Sequence, residues 1–104
     1  MPVTTLDGRP IHVNEEGFLT DPSEWDEDLA RTLATQIGIA LTEAHWKVIN
    51  FLRTAYFEQG ETPTIRRVST AGGVPVKELF ALFPQKPAKK MAYIAGLPKP
   101  HGCV

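Results

Sequence analysis

The chain has 104 residues, 42% of them hydrophobic and 22% charged, with a formal net charge of −1. That length suits one domain able to bury about two thirds of its unfolded surface, which needs no metal or disulfide staple to fold. A single cysteine excludes an internal disulfide and any multi-cysteine metal site, and the three histidines, His12, His45 and His101, are too scattered to form one.

No basic segment followed by an apolar stretch opens the chain, so no secretory signal is visible. No apolar run approaches the roughly 20 residues that span a bilayer. The chain reads as a soluble cytoplasmic protein with no membrane partner, in a reducing compartment where a thiol persists. Its charge is unevenly placed: residues 1–60 hold four basic and ten acidic side chains, residues 61–104 seven basic and two acidic. Either the C-terminal half meets an anionic partner or the two halves attract each other.

Residues 5–20 read as a small β-hairpin, with Pro10–Val13 and Gly17–Thr20 as short alternating segments around an Asn14-Glu15-Glu16-Gly17 turn. A helical body follows over 23–95. Ser23 with Asp26 resembles a capping box, and Trp25, Leu29, Leu33 and Ile37 recur every four residues until Gly38. Thr42 is the expected N-cap of a second helix reaching about Glu58, with Gly60 just past its end. Ala44, Trp46, Val48, Ile49, Phe51, Leu52, Ala55 and Tyr56 cover most of its circumference, as in a central, buried helix. Thr62-Pro63 predicts the start of a short third helix that Gly72-Gly73 stops. Val76, Leu79, Phe80 and Phe83 form a stripe on a fourth, closed by Pro84. Ala88, Met91, Ala92 and Ala95 line a fifth, which Gly96 breaks. The expected fold is mainly α: a compact orthogonal bundle of about five helices with a helix-turn-helix-like segment, an N-terminal hairpin and an extended C-terminal arm over 96–104.

The arm carries the lone cysteine, Cys103, next to last. Free cysteine is usually buried, so one at a chain end invites a functional reading. A thiolate is the nucleophile of thiol exchange and persulfide transfer. Pro98 and Pro100 favour an extended backbone, and Gly96 and Gly102 supply hinges. Seven residues from Gly96 to Cys103 reach about 23–25 Å when extended. Lys99 and His101 would lower the thiol pKa while the terminal carboxylate raises it. The plain alternative is a tail with an incidental cysteine.

Residues 63–83 resemble a helix-turn-helix, but the end that would read base edges offers Val74-Pro75-Val76-Lys77, which is poor in hydrogen-bonding groups. Ordinary helix packing accounts for the segment as well. Arg66, Arg67, Lys86, Lys89 and Lys90 read either as a basic docking patch for RNA phosphates or an acidic protein, or as a solvated face. Glu15-Glu16 and Asp26-Glu27-Asp28 look like surface or capping carboxylates. No phosphate loop or Ser/His/Asp set stands out.

The tail Ile94-Ala95-Gly96-Leu97-Pro98-Lys99-Pro100-His101-Gly102-Cys103-Val104 closely resembles the C-terminus of the DsrC/TusE family of small sulfur carriers, related to the gamma subunit of dissimilatory sulfite reductase. Glu16–Leu19, Trp25 with its flanking acids, Leu41–Trp46, Thr62–Arg66, Leu79–Pro84 and Pro87-Ala88-Lys89 also match in order and spacing. Family members that serve sulfite reduction carry a second cysteine eleven positions before the penultimate one; here that position is Ala92. The resemblance therefore implies carriage on one thiol, without the two-cysteine trisulfide, as in the TusE branch that passes sulfur toward tRNA 2-thiouridine.

It further implies a sulfurtransferase-type relay with no cofactor. A TusBCD- or DsrEFH-like persulfide donor would load Cys103, and a tRNA thiouridylase with its tRNA, or a sulfite-reductase-type enzyme, would unload it. Oxidation would give a Cys103-linked dimer. Sulfur delivery in sulfur oxidation or sulfite reduction is the alternative within the family. A DNA-binding regulator using residues 63–83 is the alternative outside it.

Overall fold

A computed structural model describes residues 3–6 and 9–98 of the chain. Strand β1 (Val3–Leu6) pairs antiparallel with β2 (Arg9–His12), Val3 opposite His12 and Leu6 opposite Arg9. The expected hairpin lay one strand later. Pro10–Val13 does overlap β2, but Gly17–Thr20 contributes only a bridge between Val13 and Leu19. The Asn14–Gly17 turn forms where the sequence placed it: the Asn14 side chain accepts from the N–H groups of Glu16 and Phe18, and Gly17 takes a φ of +89°. The two residues between β1 and β2 are Asp7-Gly8, a pair that two-residue hairpin turns favour.

Five helices follow. A 3₁₀ turn, Pro22–Glu24, precedes α1 (Glu27–Gln36). Ser23 is not the cap of α1: its hydroxyl bonds Asp21, and Asp26 caps the helix by accepting from Leu29 N–H at 2.8 Å. Gly38 (φ +74°) donates to Thr35 O and Ile39 to Ala34 O, the paired bonds that let a left-handed residue end a helix. Helix α2 (Glu43–Gln59) starts at Thr42 and ends at Gly60, as expected.

His45 occupies the capping-box position of α2 and is buried. Its Nδ1 accepts from Thr42 N–H (3.1 Å) and its Nε2 donates to Leu82 O (2.8 Å). That pairing requires the proton on Nε2, so this imidazole joins the start of α2 to the end of α4.

Helix α3 (Ile65–Gly72) begins two residues later than expected, with Thr64 as cap accepting from Arg67 N–H. Helix α4 (Val76–Leu82) buries only part of its apolar stripe. Leu79 and Phe83 are fully enclosed, while Val76 and Phe80 stand exposed. Helix α5 (Pro87–Ile94) packs against α1, α2 and α4.

The main core joins Val48, Ile49 and Leu52 of α2 with Val68, Leu79, Phe83, Met91 and Ile94. A second cluster of Ile11, Val13, Leu19, Leu29 and Leu33 seats the hairpin on α1. Trp25 and Tyr93 pack against both clusters and join them. Among the described residues no helix is long and apolar enough to cross a membrane.

The hairpin is also tied to the 3₁₀ turn by Glu24, which accepts from His12 N–H (2.8 Å) and contacts His12 Nδ1 (2.6 Å). The backbone bond, then the ring, holds the Glu24 carboxyl below its ordinary value of 4.5. The ionised form therefore adds stability above that pH, and the gain is lost as pH falls through the folded-state value. Glu24→Gln should unfold at lower urea than wild type at neutral pH, and the gap should close as pH drops below 4.5. A gap that persists in acid would contradict this role.

Candidate functional site at the base of the C-terminal arm

Every carbonyl at the end of α5 has a donor, although a helix end leaves four without intrahelical partners. Met91 O accepts from Ala95 N–H, Tyr93 O from Gly96 N–H (3.2 Å) and Ala92 O from Leu97 N–H (3.0 Å). Ile94 O accepts from Trp25 Nε1–H at 2.8 Å, and Ala95 O from the Arg53 guanidinium at 2.7 Å. Arg53 also donates to Pro22 O (3.0 Å) and lies 4.1 Å over the Trp25 ring, with Phe57 5.2 Å away. Partial burial lowers its pKa, yet a guanidinium stays cationic. A cation at this helix end also complements the helix dipole.

Gly96 adopts φ +69°, and a Cβ there would lie under 3.0 Å from three atoms of the Trp25 side chain. Leu97 is fully buried, and the buried Thr62 donates its hydroxyl to Pro98 O at 2.7 Å. Gly96 and Pro98 were expected to belong to the free arm, with Gly96 as its hinge. Both are fastened to the body instead, because the chain reversal after α5 turns Leu97 into the core. Thr62, expected to cap α3, serves the arm base. Lys99, Pro100, His101, Gly102 and Cys103 lie outside the described residues.

The five basic residues do not share one patch. Arg66 and Arg67 line a groove of about 550 Å³ with Gln59, Thr62 and Thr70, beside the Pro98 anchor. Lys86, Lys89 and Lys90 line a separate cleft of about 390 Å³ with Phe18, Ile37 and Tyr93. Partial burial raises the Tyr93 pKa in that cleft. Among the described residues no group of three or more His, Cys, Asp or Glu is placed to hold a metal.

Sequence reasoning gave Arg53 no role. The available signal was a lone cation four residues after Ile49, on the core-facing stripe of α2.

Residues 5–104 match the family described as "DsrC like protein". The chain belongs to the DsrC-like family. The Sulfurtransferase TusE of Pectobacterium atrosepticum is 44% identical over 106 residues, covering 95% of this chain and 97% of that protein. The oxidized gamma-subunit of dissimilatory sulfite reductase (DsrC) from Archaeoglobus fulgidus superposes with a TM-score of 0.82 at 39% identity, covering 99% of this chain and 100% of that one. Allochromatium vinosum DsrC does so with a TM-score of 0.80 at 39% identity, covering 98% and 97%. These matches support the sulfur-carrier reading and the mainly helical fold, and none supports a DNA-binding regulator. Within this DsrC-like chain Ala92 sits fully buried in α5, its carbonyl engaged by the turn that starts the arm.

Two substitutions test the anchor. Gly96→Ala should cost about 2–4 kcal/mol in urea unfolding, since it combines a strained φ with a clash against Trp25. Arg53→Ala should speed hydrogen exchange at the Gly96 and Leu97 amides about tenfold or more while the α2 core stays protected. Unchanged exchange would show that the turn after α5 stands without Arg53.

Proposed function

We propose that this protein is a sulfur-relay carrier that holds sulfur as a persulfide on Cys103 and passes it between proteins, toward tRNA 2-thiouridine formation. The observation that carries the reading is the pairing of a DsrC-like body with one thiol, next to last in the chain. Trp25, Arg53 and Thr62 fix the point from which the final residues depart. Cys103 lies five positions after Pro98, so a fully extended segment spans about 17 Å at ~3.3–3.6 Å per step. That is shorter than a reach counted from Gly96, and still long enough to enter a partner's cleft.

In the loading step the Cys103 thiolate attacks the outer sulfur of a donor cysteine persulfide. A new S–S bond forms to Cys103, the donor's S–S bond breaks and the donor leaves as thiolate. The proton stays on the transferred sulfur, and no net oxidation or reduction occurs. The acceptor repeats the exchange in the same sense. Thiolate fraction, access and the leaving thiol govern each rate. Ala92 supports carriage on one sulfur, because nothing at that position can close a disulfide with Cys103. The chemistry suits a reducing compartment such as the cytoplasm, with a TusBCD- or DsrEFH-like donor before it and a tRNA thiouridylase after it.

Intact mass of the reduced protein, taken after incubation with a persulfide-loaded donor, tests the proposal. Wild type should gain one sulfur atom that reductant removes, and Cys103→Ser should gain none. A gain that survives Cys103→Ser, or no gain in wild type, would contradict it.

A further inference from the structure

The first turn of α5 breaks the local rules of helix design. Lys86, Lys89 and Lys90 occupy i, i+3 and i+4, so three like charges share one face, and the first turn holds no acid to balance them. They also stand at the helix end that disfavours cations. Gln85, just before them, takes a φ of +71°, the only positive φ of a non-glycine among the described residues. Among the described residues no ion pair reaches any of the three lysines, although Lys89 and Lys90 are half-buried. Local rules broken without a compensating contact are expected at functional sites.

The cleft they border has an apolar floor. Phe18 meets Tyr93 edge-on, ring centroids 6.0 Å apart, and Ile37 completes the surface. An apolar floor under a charged rim is the anatomy of a protein–protein contact. A phosphodiester chain would leave the apolar Phe18 and Tyr93 floor unfilled, and it would find flexible ammonium groups instead of guanidinium forks.

We propose that this cleft docks an acidic polypeptide segment of the protein that loads Cys103, seating an apolar side chain against Phe18 and Tyr93 while its carboxylates meet Lys86, Lys89 and Lys90. The proposal rests on the relay reading above and names the chemistry of one partner. It also separates two surfaces: the arm base holds the carrier's thiol-bearing segment, and the lysine cleft, on the opening turn of the same helix, selects the donor. Charges on an interface rim act chiefly on the rate of encounter, so the cleft governs how fast the donor engages and leaves the sulfur exchange itself unchanged.

The test compares loading of the full-length protein from two sources, the persulfide-loaded donor protein and glutathione persulfide, a small molecule that needs no docking. The triple variant Lys86→Glu/Lys89→Glu/Lys90→Glu should load from the protein donor about tenfold or more slowly at low salt. Its loading from glutathione persulfide should stay within about twofold of wild type, because the Cys103 chemistry is the same. The neutral variant Lys86→Gln/Lys89→Gln/Lys90→Gln guards against loss of fold and should fall between the two. Added salt should slow wild-type loading from the protein donor and narrow the differences.

Equal loss of both reactions in folded variants, or a triple variant that loads from the protein donor at the wild-type rate, would overturn the proposal. So would binding of a single-stranded RNA decamer that the substitutions abolish while donor loading is unchanged. Wild type that loads from neither source would contradict the relay reading, and this one with it.

Discussion

The structure turns on a backbone constraint: the carbonyls that end α5 lie against the protein and must find donors there. Two come from the chain reversal itself, through the amides of Gly96 and Leu97. The other two come from far away in sequence, the Trp25 indole and the Arg53 guanidinium. A buried carbonyl left without a partner costs about 1–3 kcal/mol, so removing either side chain exposes a penalty larger than one ordinary hydrogen bond. Because Arg53 also bonds Pro22 O and stacks on Trp25, one cation joins α2, the 3₁₀ turn and α5. Trp25 in turn packs against both hydrophobic clusters. The hairpin, the body and the start of the arm thus meet at one tryptophan–arginine pair.

This arrangement divides the labour of a carrier. On the proposed relay, a thiol that visits two partners needs a fixed origin, since an origin that wandered would spread the thiol over many positions. Burial of Leu97 and the Thr62–Pro98 bond supply that origin. The basic residues then line separate grooves. The arginine groove lies beside the arm base, and the lysine cleft lies at the opening turn of α5. A relay protein recognises a donor and an acceptor in succession, and separate surfaces let each contact be tuned without disturbing the other.

Much of this was legible in the sequence because helix ends carry local signals. Thr42, Gly38, Gly60, Gly73 and Gly96 each act within a few residues, and each marked its boundary well. What escaped was set at long range. Thr62 looks like a helix cap, but its hydroxyl is claimed by Pro98, 36 positions away, so the cap moves to Thr64. Gly96 and Pro98 read as hinge and spacer because nothing local reveals that Trp25 closes over the turn. Helix α4 follows the expected apolar spacing, yet within its seven residues Leu79 is enclosed and Leu82 half-buried while Val76 and Phe80 stay exposed, and Phe83 is buried just past its end. Five basic residues near one another in sequence separated because α3 and α5 present them to different grooves. Strand β1 lies before the expected hairpin, although Asp7-Gly8 is a local pair that two-residue hairpin turns favour.

The central claim is that Cys103 carries transferable sulfur, and the most direct measurement is made on protein drawn from cells. Lysis in excess alkylating agent traps each sulfur species in place, and mass spectrometry of the C-terminal peptide then reads the state of Cys103. The account predicts a fraction alkylated through one additional sulfur, which falls when the persulfide supply is cut and rises when the acceptor is removed. A Cys103 found only as the simple thioether under all three conditions would contradict it.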